Sequence, residues 1–343
     1  MPTIHDVARR AGVGAITVSR VINNSGYFSH ETRQKVEKAV AELGYVPNTL
    51  ARSLRSKRTN TLALILTDIT NPFFTTLARG VEDKASEAGY TIIFCNTDES
   101  EAKELTYVNI LLQKQVDGFL LVPAQSQPHV IEQIQQRGVP LVVLDRRVPG
   151  ARVDVVRCDS EDGAFQLTRY LISLGHRRIA ILSGPQGIST ADDRVAGYCR
   201  ALESCGLHVA GDSILRGELT PESGYQMARQ MMGYLHRPTG LVAANNFITI
   251  GAMRALQEAQ LQVPGDVALV GFDDLPPAMV TFPFFTVVSQ PAYEMGRLAT
   301  ELLLNRLKTN GAGQPEEIIL PAQLIIRQSS GGQLHEPNAQ IEF

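Results

Sequence analysis

Five short stretches of the 343-residue chain carry side chains able to hydrogen-bond or stack, and each comes at or just after the end of an apolar run. LALIL leads into NPFF, which supplies Phe73 and Phe74. VVLDRR supplies Asp145, AANN ends on Asn246, GFDD supplies Asp273, and GISTADDR, after AILSGP, supplies Thr190 and Arg194. An arginine, two aspartates and an asparagine can make paired hydrogen bonds to neighbouring hydroxyls, and phenylalanine can cover the apolar face of a sugar ring. No residue carries a nucleophile motif, so the chemistry is that of binding rather than catalysis. Each residue also has a plainer reading. Asp145 and Asp273 could cap following helices, Arg194 could pair with Asp192, Asp193 or Glu203, and both phenylalanines could be ordinary core. Arg146, Arg147 and Asp159 suit the rim of a cleft or structural ion pairs equally well. Convergence on strand ends favours a site, because ligands on open α/β sheets bind beyond the carboxyl ends of the strands.

The elements that must position these residues are legible. TLALILTD, YTIIFCN, DGFLLVPA and PLVVLD are apolar runs of strand length, separated by helical stretches near 73–89, 101–115 and 127–138. After residue 160 the pattern repeats: RRIAILSG, TGLVAANN and DVALVGFDD alternate with helices near 161–175, 192–206, 222–235 and 246–260. Apolar, non-alternating strands between helices predict parallel sheets covered on both faces. The chain therefore reads as α/β, with two similar lobes and crossings between them near 160, 290 and 321. That division gives one lobe of 61–160 plus 291–321, a second of 161–290 plus 322–330, and a flexible tail of 331–343. A nucleotide-binding dehydrogenase would need a glycine-rich turn after the first strand. That strand ends LTDITNPFF, and the GxG strings at 12–14 and 311–313 fall elsewhere.

The front of the chain differs in charge. Residues 1–60 hold 10 Lys+Arg against 4 Asp+Glu, a net of +6; the remainder holds 22 against 31, a net of −9. A basic front on an acidic body predicts that the front meets a polyanion. TIHDVARRAGV reads as a short helix capped by Thr3, with Asp6 completing a capping box and Gly12 ending it. GAITVSRVINN gives a second helix, packing through Ile16 or Thr17, Val18, Val21 and Ile22. SHETRQKVEKAVAELGY gives a third, from Ser29 to Gly44, with Val36, Ala39, Val40 and Leu43 as its buried stripe. Two short helices joined by a glycine-containing turn make a helix-turn-helix, whose second helix enters the major groove. Its outward face offers Arg20 for bidentate contact to guanine, Ala15 and Ile16 for thymine methyls, and Thr17 and Ser19 for phosphates. A small three-helix bundle of another purpose is the alternative.

TIHDVARRAGVGAITVSRVIN, followed by ETRQKVEKAVAELGYVPNTLARSL, resembles the DNA-binding head of the LacI/GalR family of bacterial repressors. The resemblance runs over roughly residues 2–330 and implies a helix-turn-helix head on a two-lobed body like that of periplasmic sugar-binding proteins. Gly14 departs from the Ser or Thr that usually caps the recognition helix, and is a weaker cap. The resemblance adds Thr3, Asn23 and Tyr45 to the DNA-contacting positions. It also implies a hinge helix at 48–56, within a hinge and linker of 47–60, folding where two subunits meet on the operator. Leu54 would then be a wedge between base steps, with Arg55, Lys57 and Arg58 contacting phosphates. In the body, Phe73, Phe74, Asp145, Thr190, Arg194, Asn246 and Asp273 match the family's effector contacts. Position 219, Leu219 here, matches as well where other members have an aromatic residue, and Ile188 replaces an arginine of purine-responsive members.

The expected partners are a pseudopalindromic double-stranded operator, a sugar-like effector and a second copy of the chain. An alternative effector is a phosphorylated carrier protein or a non-sugar metabolite. The tail lacks leucine heptads, which predicts a dimer. No apolar run approaches 18 residues and the start has no signal-peptide core, so the reading is cytoplasmic without a membrane contact. Cys95, Cys158, Cys199 and Cys205 have no CxxC spacing and read as reduced core thiols, with no cofactor or metal.

Overall fold

The computed structural model describes residues 2–46, 58–275, 283–309 and 311–332, in two compact units that divide at Thr59. The expected hinge helix, with Leu54, Arg55 and Lys57, and the tail from residue 333 lie outside the described residues.

The first unit contains three helices. In α1 (Ile4–Ala11), Thr3 and Asp6 form the capping box: Asp6 N–H donates to Thr3 Oγ1 at 3.3 Å and Thr3 N–H to Asp6 Oδ2 at 2.9 Å. This satisfies amides that a helix start otherwise leaves unpaired. Gly12 ends it. In α2 (Ala15–Ile22), Gly14 supplies no side-chain cap. In α3 (His30–Leu43), Ser29 accepts from Thr32 N–H at 3.2 Å. Val7, Val18 and Val36, one from each helix, are fully buried and form the centre of the core. Ile16 does not pack there: it is 71% exposed, and α2 uses Val18, Val21 and Ile22 instead. Val40 and Leu43 are half-buried at the edge of that core.

The second unit is doubly wound α/β. Its first sheet uses β1 (Thr61–Leu66), β2 (Thr91–Asn96), β3 (Gly118–Leu121), β4 (Leu141–Leu144) and β5 (Asp154–Cys158), with β11 (Glu317–Leu320) at the edge, in the order β2-β1-β3-β4-β5-β11. The second uses β6 (Ile179–Ser183), β7 (Ile214–Arg216), β8 (Gly240–Ala243), β9 (Ala268–Phe272) and β10 (Thr286–Ser289), with β12 (Gln323–Ile325), in the order β7-β6-β8-β9-β10-β12. Every pairing is parallel except β10 with β12. Leu62, Leu64 and Leu66 of β1 enter one core and Ala63 and Ile65 the opposite one, which is why the run reads as continuously apolar.

Helices α4 (Pro72–Glu87), α5 (Glu101–Gln113), α6 (His129–Gln136) and α11 (Ala292–Lys308) cover the first sheet. Helices α7 (Ser160–Ser173), α8 (Ser189–Ser204), α9 (Pro221–Met232) and α10 (Asn246–Glu258) cover the second. α4 and α11 meet backbone to backbone: a Cβ on Gly80 would lie 2.0 Å from Tyr293 O, and one on Gly296 2.2 Å from Leu77 O. α9 and α10 do the same at Gly251, where a Cβ would lie 1.8 Å from Pro221 O. The chain passes between the sheets at Asp159, at Gln290–Pro291 and at Pro321–Ala322. Asp159 N–H donates to Leu320 O at 2.9 Å, tying the first crossing to the third, and Ala322 packs against the cores of both lobes.

The four cysteines are free: Cys158 is buried in the core, Cys95 and Cys199 pack half-buried against the cores, and Cys205 is exposed just past the end of α8. Among the described residues no helix is long and apolar enough to cross a membrane.

Candidate functional site

On the head, α2 presents Ile16 and Arg20 to solvent, with Ala15, Thr17 and Ser19 half-exposed. Among the described residues Arg20 has no acidic partner, unlike Arg9, Arg10 and Arg33, which pair with Asp6, Glu42 and Glu37. Asn23 caps the end of α2 and donates to Ser19 O at 2.7 Å, holding Ser19 and Asn23 together. Thr3 is exposed but occupied with its own cap, and Tyr45 packs half-buried on the head core. The face is therefore a short helix with one uncommitted guanidinium flanked by apolar and hydroxyl groups.

In the body, the carboxyl ends of the two sheets enclose a cavity of about 150 Å³. Asn71 caps α4 by accepting from Phe73 N–H at 3.0 Å, and Pro72 starts the helix. The first turn of α4 thus carries Phe73 and Phe74 into the cavity wall, edge to face at 5.0 Å. Both also belong to the core of the first lobe, so the plain and the functional readings hold together.

Asp145 and Asp273 occupy equivalent places in the two lobes. Each follows the fourth strand in the order of its sheet, β4 or β9, and neither caps a helix. Each donates its N–H to the next strand, to Val156 O at 2.9 Å and Val288 O at 2.8 Å. Each is buried with φ in the left-handed region, 62° and 67°. Non-glycine residues hold that conformation only when their surroundings enforce it, and such strain clusters at binding sites. Burial pushes Asp145 up to about 6 against the pull of Arg146 and Arg194, and pushes Asp273 up as well, with Arg194 and Gln290 opposing it.

Arg194 is not a surface ion pair. It is 4% exposed, donates to Ala244 O, and lies 3.8 Å over the ring of Phe272. Two of its three expected partners are engaged elsewhere, Asp193 with Arg147 and Asp192 with Arg216. Arg146 is floor rather than rim: 1% exposed, it donates to both Glu99 oxygens at 2.6 Å and to Pro123 O and Ala124 O. Asp159 caps α7 and does not line the cavity. Thr190 and Leu219 line it; Ile188, buried, does not. Asn246 does not line it either. It lies behind, donating to Asn71 Oδ1 at 2.9 Å, and Asn245, the cap of α10, takes the lining position. Ser126 and Arg147 of the first lobe meet Ser189 of the second at 3.3 and 3.0 Å, so the lobes are bridged beside the cavity.

Asp145 Oδ1, Arg146 Nε, Arg194 Nε and Gln290 Oε1 are buried without a hydrogen-bond partner among the described residues, and all four side chains line the cavity. Buried polar groups left unpaired are costly and uncommon. Their grouping here, beside two phenylalanines, suits a ligand that brings several hydroxyls and one apolar face.

A model of the bacterial regulatory proteins of the lacI family matches residues 3–48, and one of the periplasmic binding proteins and sugar binding domain of the LacI family matches residues 59–328. The chain belongs to the LacI family. It is 37% identical to the ribose operon repressor of Escherichia coli K12, over 96% of this chain and 100% of that one. To the HTH-type transcriptional regulator DegA of Bacillus subtilis 168 it is 35% identical, over 96% and 98%. The lac repressor dimer bound to operator and the anti-inducer ONPF superposes with a TM-score of 0.85 at 28% identity, covering 96% of this chain and 99% of that one. A complex of the transcriptional regulator CelR with cellobiose gives 0.73 at 34%, covering 96% and 100%.

In this LacI-family chain the sequence reading passed over eight lining residues: Asp68, Asn71, Asp98, Glu99, Glu218, Thr220, Asn245 and Gln290. Asn71 was signalled by the Asn-Pro pair that starts α4, and Gln290 by its place just after β10. Glu99 gave no signal, since it stands in a turn with φ 57° and is recruited by Arg146.

Proposed function

We propose that this LacI-family regulator is a cytoplasmic repressor of carbohydrate-metabolism genes, binding a pseudopalindromic operator as a homodimer and controlled by a small sugar held between its lobes. The head of residues 1–46 reads the operator, with Arg20 as its principal base contact. The lobes of 61–160 plus 291–321 and 161–290 plus 322–330 sense the sugar. One observation carries the effector reading: four unpartnered buried polar atoms converge with two phenylalanines on one small cavity. The relatives named for a ribose operon and for a cellobiose complex support it.

Control follows from the lobe contacts. A ligand that favours one arrangement of the lobes shifts the population by its differential affinity, about 5.5 kcal/mol for a full swing from 1:99 to 99:1. The test is thermal unfolding of the intact protein against a sugar panel, paired with operator-binding anisotropy. At 100 times its Kd an effector adds about 2.7 kcal/mol of stability. Arg194→Ala should remove that gain, a charged hydrogen bond contributing about 1.5–3 kcal/mol, and leave sugar-free operator affinity unchanged. A panel in which no sugar moves either signal would dismiss the reading.

A further inference from the structure

The lining of the cavity is strongly acidic. Asp68, Asp98, Glu99, Asp145, Glu218 and Asp273 stand against only two cations, Arg146 and Arg194. Arg146 is already neutralised, both guanidinium nitrogens Nη1 and Nη2 being held by Glu99. Arg194 alone has no carboxylate within ion-pair distance among the described residues, yet Asp145 and Asp273 are its electrostatic neighbours from the two lobes. No lysine lines the cavity. The helix starts that face it offer little to an anion: Asn71 takes the amide of Phe73, Asn245 that of Ile248, and Ser126 that of Ser189. The amides that these caps accept are thus unavailable to a phosphate, and Arg194, the one lining cation without a carboxylate partner, is offset by Asp145 and Asp273.

Size gives an independent limit. The cavity's ~150 Å³ lies below the ~300–1,000 Å³ of drug-sized sites. The wall at Leu219 is fixed from behind. Gly184 leaves it just enough room, since a Cβ there would come within 2.7 Å of Leu219 Cδ2. Beyond the cavity the lobes are joined by Asn246 to Asn71 and Ser189 to Ser126.

Resting on the sugar reading above, we propose that the effector is an uncharged, unphosphorylated monosaccharide, with Glu218, Asp145 and Asp273 excluding its phosphate ester and Leu219 excluding a second ring. Glu218 is exposed at the cavity edge, so it meets an incoming charge first.

The experiment is calorimetric titration of the full chain with neutral pentoses and hexoses, their phosphate esters, their amino derivatives and disaccharides. One neutral monosaccharide should bind, with its phosphate ester at least about 100-fold weaker, as expected for like charges a few ångströms apart in a partly buried site. Glu218→Gln, a change at an exposed position, should narrow that ratio, and Leu219→Ala should raise disaccharide affinity relative to monosaccharide affinity. A phosphate ester, amino sugar or disaccharide binding wild type as tightly as the neutral monosaccharide overturns the proposal and leaves the sugar reading standing. Equal ratios in wild type and Glu218→Gln remove Glu218 from it. If nothing in the panel binds, it is the sugar reading that fails.

Discussion

Glu104 offers the sharpest test of the electrostatics beneath the cavity. It projects from α5, is 3% exposed, and accepts from Ala124 N–H at 2.6 Å. Burial pushes its carboxyl up to about 7; the Ala124 N–H and Arg146 oppose this, while Glu101 and Glu99 reinforce it. A carboxyl raised in the folded state binds its proton more tightly there than in the unfolded chain. Its contribution is full below the unfolded value near 4.5 and is lost as pH rises through about 7. At 1.36 kcal/mol per pKa unit, that displacement is worth about 3 kcal/mol. Glu104→Gln keeps an oxygen for Ala124 and cannot ionise. Urea unfolding of both proteins from pH 5 to pH 9 should show the difference between them moving by about 3 kcal/mol in favour of the glutamine variant. Asp145 and Asp273, also raised by burial, are common to both proteins and largely cancel in the difference. Parallel stability curves would mean that Glu104 titrates as a solvated carboxylate, and the account of this buried layer would be wrong.

Arg20→Ala should cost about 1–3 kcal/mol of operator affinity and relax preference at one position of each half-site; operator selection giving an unchanged preference at every position would remove it from base reading. Gly251→Ala forces a methyl group to within 1.8 Å of Pro221 O, so α9 and α10 must separate. Denaturant unfolding should show a loss of at least about 1–3 kcal/mol, and a loss under 0.5 kcal/mol would mean that the helices slide apart freely.

The fold class was readable because β1, β3, β4, β6, β8 and β9 are buried on both faces and therefore appear as unbroken apolar runs. Less of the periphery was readable. β7 has three residues and β11 is half-exposed, so neither leaves an apolar run of useful length. For α11 the sequence reading assigned 291–321 to the first lobe, where the helix packs, but did not show the close fit of Gly296 and Gly80 to distant backbone that holds it there. In the site, the strand-end rule located Asp145, Arg194 and Asp273. It could not tell floor from rim for Arg146, whose burial depends on Glu99, 47 residues earlier. Nor could it separate Asn245 from Asn246, because the start of a helix turns adjacent side chains in different directions and only the cap geometry decides which faces the ligand.

The crossings at Asp159, Gln290–Pro291 and Pro321–Ala322 have a mechanical consequence. Two are stitched together by the bond from Asp159 N–H to Leu320 O, and Ala322 is clamped between both cores. Three short connections fastened in this way should let the lobes bend about their common line more readily than twist or shear. The lobes themselves resist deformation, because helices locked backbone to backbone at Gly80, Gly296 and Gly251 cannot re-register. A ligand in the cleft can therefore set how far the body bends, but has almost no freedom over the direction. The output stroke is written into the frame, so substitutions that retune the cleft for a different sugar can leave the response to it unchanged.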